Sequence, residues 1–255
     1  MIRAGRLLLL PERVFATGVP TSEHPAAPAL VTAIHAGDLD ALAHIIADSP
    51  DVVTVPLGGV CKTRTALHVA ADWPGYFPNG PQTVRLLIAG GANPNAREPG
   101  DETPLHWAAS SDDVDVAAAL IDGGADIEAP DGSIGSPLDN AIGYACWRVA
   151  ALLAARGARV EKLWHAAALG QLNRLQELLD ATQLTTREVS QAFWHACAGG
   201  QRRAAEYLLA RGADLGWEPD YADGTPLDAA GTLGTRQSNV ISWLQELGAP
   251  SARQP

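Results

Sequence analysis

The chain has 255 residues, of which 47% are hydrophobic and 18% are charged. This balance excludes a disordered chain, which would be less apolar, and a membrane-spanning chain, which would carry longer uncharged stretches. The 29 acidic and 18 basic residues give a formal charge of −11, which argues against a nucleic-acid partner, because binding to phosphate depends on clustered Lys and Arg.

The first 24 residues are expected to form a flexible leader. The apolar run over residues 7–10 is cut short by the Pro-Glu-Arg sequence at 11–13, so it is too short for the core of a signal peptide. Three cysteines, an odd number at no metal-ligand spacing, indicate a reduced, cytoplasmic setting. The abundance of Ala and the preference for Arg over Lys are typical of a bacterial protein.

A seven-residue pattern recurs along the chain. Its clearest copy is TPLHWAA at 103–109, and related copies are TALHVAA at 65–71, SPLDNAI at 136–142 and TPLDAAG at 225–231. With three degenerate copies, the repeats start near residues 28, 65, 103, 136, 161, 191 and 225. A second apolar stripe and a Gly-Ala terminator follow most copies, which predicts helix-turn-helix units that end at glycine.

In these motifs, above all TPLHWAA and GGADIEA, the chain resembles the ankyrin-repeat family. The resemblance covers about seven repeats over residues 25–250 and leaves a tail at 251–255. It implies an all-α fold: a single-domain ankyrin-repeat solenoid of stacked helix-turn-helix units, with short hairpin fingers and a concave groove. His68 and His106 occupy the histidine position of the motif and are expected to tie each inner helix to the hairpin turn.

Four segments depart from the repeat rule. Residues 73–82 form a longer inter-helix turn with three prolines and three aromatic residues, which predicts a structured loop. The finger near 157–160 is almost absent, residues 185–188 form a capping box that starts a helix early, and the last repeat carries an insertion near 232–238. In addition, Trp164 and Trp194 occupy the histidine position, which predicts that the usual hydrogen bond is lost there.

Aligning the repeats places several aromatic and polar residues toward the groove. One interpretation is a binding pocket with aromatic walls and a polar floor; the other is that large side chains fill space where fingers are missing. The walls would be Trp73, Trp107 and Tyr144, and the floor would be Asn140, His165 and His195.

The negative charge is concentrated in one part of the chain. Residues 97–139 contain eleven acidic residues and one basic residue, a local balance of −10. Asp112 and Asp113 fall in the turn beside Trp107 and the long loop. They form either a solvated turn or an electrostatic guide for a basic peptide or for a small cationic or polyhydroxy ligand.

The sequence therefore favours a cytoplasmic binding module whose concave groove takes a protein or a basic peptide, with no nucleic acid and no membrane. The alternative is a small-molecule binder or atypical enzyme, with His165 or His195 as general acid/base and Asp112 or Asp113 as its electrostatic partner. No motif of a familiar enzyme is present, and the sequence implies no metal and no cofactor. The candidate binding residues are Asp72, Trp73, Tyr76, Trp107, Asp112, Asp113, Asn140, Tyr144, His165 and His195.

Overall fold

The computed structural model describes most of the chain. The described residues are 24–59, 62–97, 102–181, 183–232 and 237–252. Three predicted segments lie wholly or partly outside them: nearly all of the leader, residues 233–236 of the insertion, and the end of the tail.

The chain divides into two compact units, with a boundary between Ala158 and Arg159. This boundary falls within residues 157–160, where the sequence predicts that a finger is almost absent. The single domain predicted over 25–250 stays a prediction.

The described part of the first unit contains four pairs of helices, each pair corresponding to one repeat. The helices are α1 (Ala27–Ala36), α2 (Leu39–Asp48), α3 (Ala66–Ala71), α4 (Gly80–Ala89), α5 (Pro104–Ser111), α6 (Val114–Asp122), α7 (Pro137–Gly143) and α8 (Trp147–Ala155). A 3-10 helix over Pro50–Val53 and an antiparallel hairpin of β1 (Leu57–Gly59) and β2 (Lys62–Arg64) connect the first pair to the second. The hairpin is one of the predicted fingers.

The described part of the second unit contains three further pairs. These helices are α9 (Leu163–Ala168), α10 (Leu172–Ala181), α11 (Thr186–Ala198), α12 (Arg202–Leu209), α13 (Pro226–Ala230) and α14 (Ser238–Glu246). Helix α11 begins five residues before its motif, and the predicted capping box explains the early start. The backbone N–H and the hydroxyl of Thr185 donate to Glu188 Oε2 at 2.8 and 2.7 Å.

The repeated motif explains how most inner helices begin. Threonine or serine takes the N-cap position before α3, α5, α7 and α13, and the third helical residue returns a bond to the backbone N–H of that cap. That third residue is histidine in the TPLH copies and aspartate in the TPLD copies. Proline in the first turn of α5, α7 and α13 loses no intrahelical bond there.

The leucine of the motif builds the core. Leu67, Leu105 and Leu138 are fully buried in the first unit, in the inner helices α3, α5 and α7, which pack side by side. Phe193 takes the same position in α11 of the second unit and is also fully buried. In both units, each repeat therefore buries its apolar face against the neighbouring repeats, as a stacked array requires. None of the helices over the described ranges could span a membrane.

Candidate functional site

His68 and His106 tie their inner helices to the turns that precede the next repeat, as the sequence predicts. Nδ1 of His68 accepts the backbone N–H of Thr65 at 3.2 Å, and Nε2 lies 3.0 Å from the carbonyl of Glu102, directly before the next repeat. His106 has the same arrangement in its own repeat, at 3.1 and 3.0 Å. Because the N–H only donates and the carbonyl only accepts, both rings are neutral with the proton on Nε2. Burial lowers both pKa values, that of His68 to about 4.

Trp194 occupies the same position in the sixth repeat, and the prediction that the hydrogen bond is lost there is wrong. Its indole Nε1 donates to the carbonyl of Gly224 at 3.0 Å. Gly224 precedes Thr225 as Glu102 precedes Thr103, so the bond is equivalent to the one that Nε2 of His68 makes. The indole and the imidazole both present an N–H on a flat ring, so one replaces the other as donor.

Asp113 is a buried capping residue rather than part of a solvated turn. Its side chain is 1% exposed. One carboxylate oxygen accepts the backbone N–H of Val116 at 3.1 Å and so caps α6, and the other accepts the backbone N–H of Tyr76 at 2.6 Å. A single side chain of the third repeat therefore fixes both a helix end and the long loop of the second repeat.

Asp112 has a comparable role toward the fourth repeat. Its Oδ1 accepts the backbone N–H groups of Arg148 and Val149 at 3.1 and 3.0 Å, at the start of α8. Its own carbonyl accepts the hydroxyl of Tyr76. Both carboxylates in the predicted electrostatic guide are thus engaged by backbone donors of the first unit.

We use the name aromatic loop for residues 73–79, the centre of the long inter-helix turn. Trp73 and Tyr76 expose 43% and 48% of their surface there. Tyr76 has a φ of 56°, a left-handed conformation that is uncommon for an aromatic residue. Nη1 of Arg148 donates to the Tyr76 hydroxyl at 2.8 Å, and the guanidinium carbon lies 5.5 Å from the centre of the Tyr76 ring. The loop is therefore structured, as the sequence predicts.

The far end of the aromatic loop is held by the first repeat. Phe77 stacks on His35 with ring centres 4.7 Å apart, and the Asn79 side chain donates to the carbonyl of Gly37 at 2.9 Å. Gly37 has a φ of 63°, and a Cβ atom there would collide with the carbonyl of Pro78. Glycine is thus needed at this position both for the backbone conformation and for the close approach of the loop.

The near end of the aromatic loop is anchored by Asp72. Its Oδ2 accepts from Nη1 of Arg64 at 2.7 Å, and its Oδ1 accepts the backbone N–H of Trp73 at 2.8 Å. Trp107 lies in α5, where its half-buried ring meets His68 edge to face at 5.1 Å. Trp107 is therefore a packing neighbour of the histidine network.

Asn140 and Tyr144 fix the finger that precedes the fourth repeat. Asn140 is fully buried; its amide donates to the carboxylate of Glu102 at 2.9 Å and accepts the backbone N–H of Ile134 at 3.1 Å. The hydroxyl of Tyr144 lies 3.1 Å from that of Ser133. Asn140 thus holds protein groups together and does not form an open floor.

The two predicted histidines lie in the second unit, and the other candidates all lie in the first. His195 is 4% exposed and stacks on Trp164 and Tyr221, with ring centres 4.9 and 6.2 Å away. Burial, with a smaller effect of nearby His165, lowers the pKa of His195 to about 3. His165 is also buried and meets Trp164 edge to face at 4.3 Å.

Few features of the structure favour a metal site, a cysteine nucleophile or a ligand cavity at these histidines. No group of three or more His, Cys, Asp or Glu residues could hold a metal ion in the part of the chain that the structure describes. Burial raises the pKa of Cys197, which makes it a poor nucleophile. One cavity of the second unit, of about 810 Å³, is lined by some of the residues in 159–177. Another, of about 310 Å³, is lined by some of the residues in 186–220. Neither His165 nor His195 is among the lining residues.

Structural roles explain much of the acid-rich region. Besides the two aspartates of the turn, Asp139 caps α7 by accepting the backbone N–H of Ser136 at 2.8 Å. Asp122 pairs with Arg156 at 2.6 Å. Four of the eleven acidic residues of 97–139 thus have capping or ion-pairing roles, and the formal charge of −10 gives this region a negative field.

Sequence reasoning missed two residues that organise these surfaces. Arg148 reaches Tyr76 across 72 positions of the chain, and Tyr221 contacts His195 from a finger 26 positions away. Neither residue stands in the recurring motif, so no repeat signal marked them.

Comparison with known proteins agrees with this fold. A model of ankyrin repeats, in three copies, matches residues 76–162. The ankyrin repeat domain of Bcl-3, described as a unique member of the IkappaB protein family, is 26% identical over 85% of this chain and 97% of that chain, with a TM-score of 0.51. The human ASB11 ankyrin repeat domain is 26% identical over 75% of this chain and 87% of that chain, with a TM-score of 0.43. No curated protein matches.

The recurring motif, the helix pairs, the family model and the likeness to the Bcl-3 domain agree: residues 76–162 carry ankyrin repeats, and the chain has an ankyrin-repeat fold. Domains of this class are generally protein-interaction modules.

Proposed function

We propose that this protein binds a partner protein through the aromatic loop and the acidic residues Asp112 and Asp115 beside it, and that the bound segment is rich in Lys and Arg. The observation that carries this proposal is the exposure of Trp73 and Tyr76 on a loop that three different repeats hold in place. Trp and Tyr are the residue types most enriched among the energetically dominant positions of protein interfaces.

The fixed geometry of the loop favours tight binding. The backbone N–H of Tyr76 is held by Asp113, its hydroxyl by Asp112 and Arg148, and the end of the loop by Gly37. A partner does not have to order this loop, so less conformational entropy is lost on binding. The left-handed backbone of Tyr76 is retained only because these contacts determine it, a pattern that clusters at functional sites.

The charge around the loop selects the partner. Partial burial and the nearby carboxylates of Asp112, Asp113 and Asp115 raise the pKa of Tyr76, although Arg148 lowers it. Three acidic groups thus lie close enough to act on the exposed ring, within a region whose formal charge is −10. A negative field of this kind attracts a basic segment and repels an acidic one.

The alternative of a small-molecule binder or enzyme is weaker on chemical grounds. A general base works best when its pKa lies near the working pH, and that of His195 is about 3. Asp112 and Asp113 already accept backbone hydrogen bonds. We therefore favour protein binding.

Selection from a library of short random peptides displayed on phage tests the proposal. The full chain and its Trp73→Ala variant are used as parallel targets, with Trp217→Ala as the control because Trp217 is a half-buried tryptophan of the second unit. We expect the selected peptides to be enriched in Lys and Arg. We expect Trp73→Ala to weaken their binding about 30-fold, as removal of a dominant interface tryptophan does, and added salt to weaken it further.

The control separates this surface from the rest of the chain. Trp217→Ala should bind the selected peptides as the unmodified chain does. Peptides without a basic bias, or peptides that bind Trp73→Ala at full strength, would show that the aromatic loop is not the binding surface.

A further inference from the structure

The second unit carries an aromatic surface that the proposed function does not use. We use the name aromatic strip for Trp164 of α9, His195 of α11 and Tyr221 of the finger before α13. Tyr221 is 47% exposed and Trp164 is half-buried, while His195 is buried and stacks on both. The partly exposed rings of Trp164 and Tyr221, both stacked on the buried ring of His195, offer apolar faces to a ligand.

The finger that carries Tyr221 is fixed against α11. Trp194 donates to the carbonyl of Gly224 at 3.0 Å, Ser190 accepts the backbone N–H of Asp214 at 2.8 Å, and Arg187 pairs with Asp220 at 2.9 Å. Bonds at the start, the middle and the end of the finger thus hold the exposed phenol in one position, as a pre-organised binding surface requires.

The hydrogen bonds of His195 determine where the hydroxyl proton of Tyr221 points. Nδ1 of His195 is buried and has no hydrogen-bond partner among the described residues, while Nε2 lies 3.1 Å from the Tyr221 oxygen. A buried N–H without an acceptor is rarer in proteins than an under-used acceptor, so the proton of the neutral ring is on Nε2. His195 therefore donates to the oxygen of Tyr221.

Gln191 completes the arrangement. Its amide nitrogen also donates to the Tyr221 oxygen, at 3.2 Å. A phenol oxygen that accepts two hydrogen bonds has its own O–H left to donate. Because the two partners that this oxygen has among the described residues are both donors, that O–H is directed toward a ligand or solvent.

A matching ligand has strong acceptors and apolar rings, and it does not depend on backbone donors. A proline-rich segment has these properties, since proline lacks an N–H and the polyproline II helix leaves its carbonyls exposed. Such segments dock on aromatic-lined surfaces.

We propose that the aromatic strip binds a proline-rich segment of a partner protein, with the Tyr221 hydroxyl donating to one of its backbone carbonyls. This proposal does not depend on the function proposed for the first unit, because no residue is shared.

Binding is measured by fluorescence anisotropy, with the full chain titrated into a labelled short peptide that contains an uninterrupted run of prolines. Tyr221→Phe keeps the ring and removes the donor, so we expect binding about five- to tenfold weaker, the effect of one lost hydrogen bond. Tyr207→Phe on α12 is the matched control and should leave binding unchanged. A peptide with alanine in place of proline should bind far more weakly, and Trp73→Ala should have no effect.

Three results would overturn the proposal: no binding of the proline peptide, equal binding of the alanine peptide, or full binding by Tyr221→Phe. An independent test needs no ligand. Side-chain nitrogen NMR of the full chain should show His195 neutral with its proton on Nε2; a proton on Nδ1 would mean that Tyr221 donates to His195 and that the proposal is wrong.

Discussion

The double role of Asp113 gives the sharpest test of how the aromatic loop is held. Asp113→Ala removes the cap of α6 and the 2.6 Å bond to the backbone of Tyr76. Loss of an N-cap costs about 1 kcal/mol. Loss of a hydrogen bond to a charged acceptor costs about 2 kcal/mol more. The free energy of unfolding should therefore fall by about 3 kcal/mol.

Two further variants separate the contributions. Asp113→Asn should retain the cap, since asparagine caps helices well, and lose mainly the contact with Tyr76, so its effect should be about 2 kcal/mol. Asp115→Ala changes an exposed acid in the first turn of the same helix and should cost about 0.5 kcal/mol.

Urea unfolding of the full chain, followed by circular dichroism, measures these differences. Amide hydrogen exchange at Tyr76 reports the loop directly and should be faster in both Asp113 variants than in Asp115→Ala. The reasoning is refuted if Asp113→Ala is no less stable than Asp115→Ala, or if exchange at Tyr76 is unchanged.

Two other predictions concern the bonds between repeats. Trp194→Phe removes the donor to Gly224 and leaves a carbonyl unpaired. The free energy of unfolding in urea should therefore fall by about 1 to 2 kcal/mol. An unchanged urea midpoint would argue against the bond. The folded pKa values of His68 and His195, about 4 and about 3, lie below the unfolded value near 6.5, so protons favour the unfolded chain. The free energy of unfolding should be highest above pH 6.5 and decrease below it, by about 2 kcal/mol for each histidine at pH 5. His68→Gln should reduce this decrease, and an equal decrease in that variant would contradict the assignment.

Local sequence signals predicted the repeats and the capping box at Thr185. The box spans only four residues, so spacing alone was sufficient. The bond between the threonine and the histidine of TPLH also lies within one helical turn, but it was not predicted. Asp113 could also have been recognised, because an aspartate directly before an apolar helical run is an N-cap signal.

Contacts between repeats could not be predicted in the same way. The sequence does not show that Arg148 reaches Tyr76, because the contact depends on how far a side chain extends across an intervening repeat. The bond of Trp194 was missed for a chemical reason: loss of histidine was taken as loss of the donor, although indole provides an equivalent N–H.

The aromatic loop is proposed to contact a basic segment of a partner protein. Placing a photo-crosslinking amino acid at Trp73 in the full chain and irradiating living cells tests it directly, with the same substitution at Trp217 as the control. We predict an adduct at position 73 whose cross-linked peptide is rich in Lys and Arg, and none of that peptide at position 217. An adduct at position 217 only, or a peptide at position 73 without basic residues, would contradict the claim.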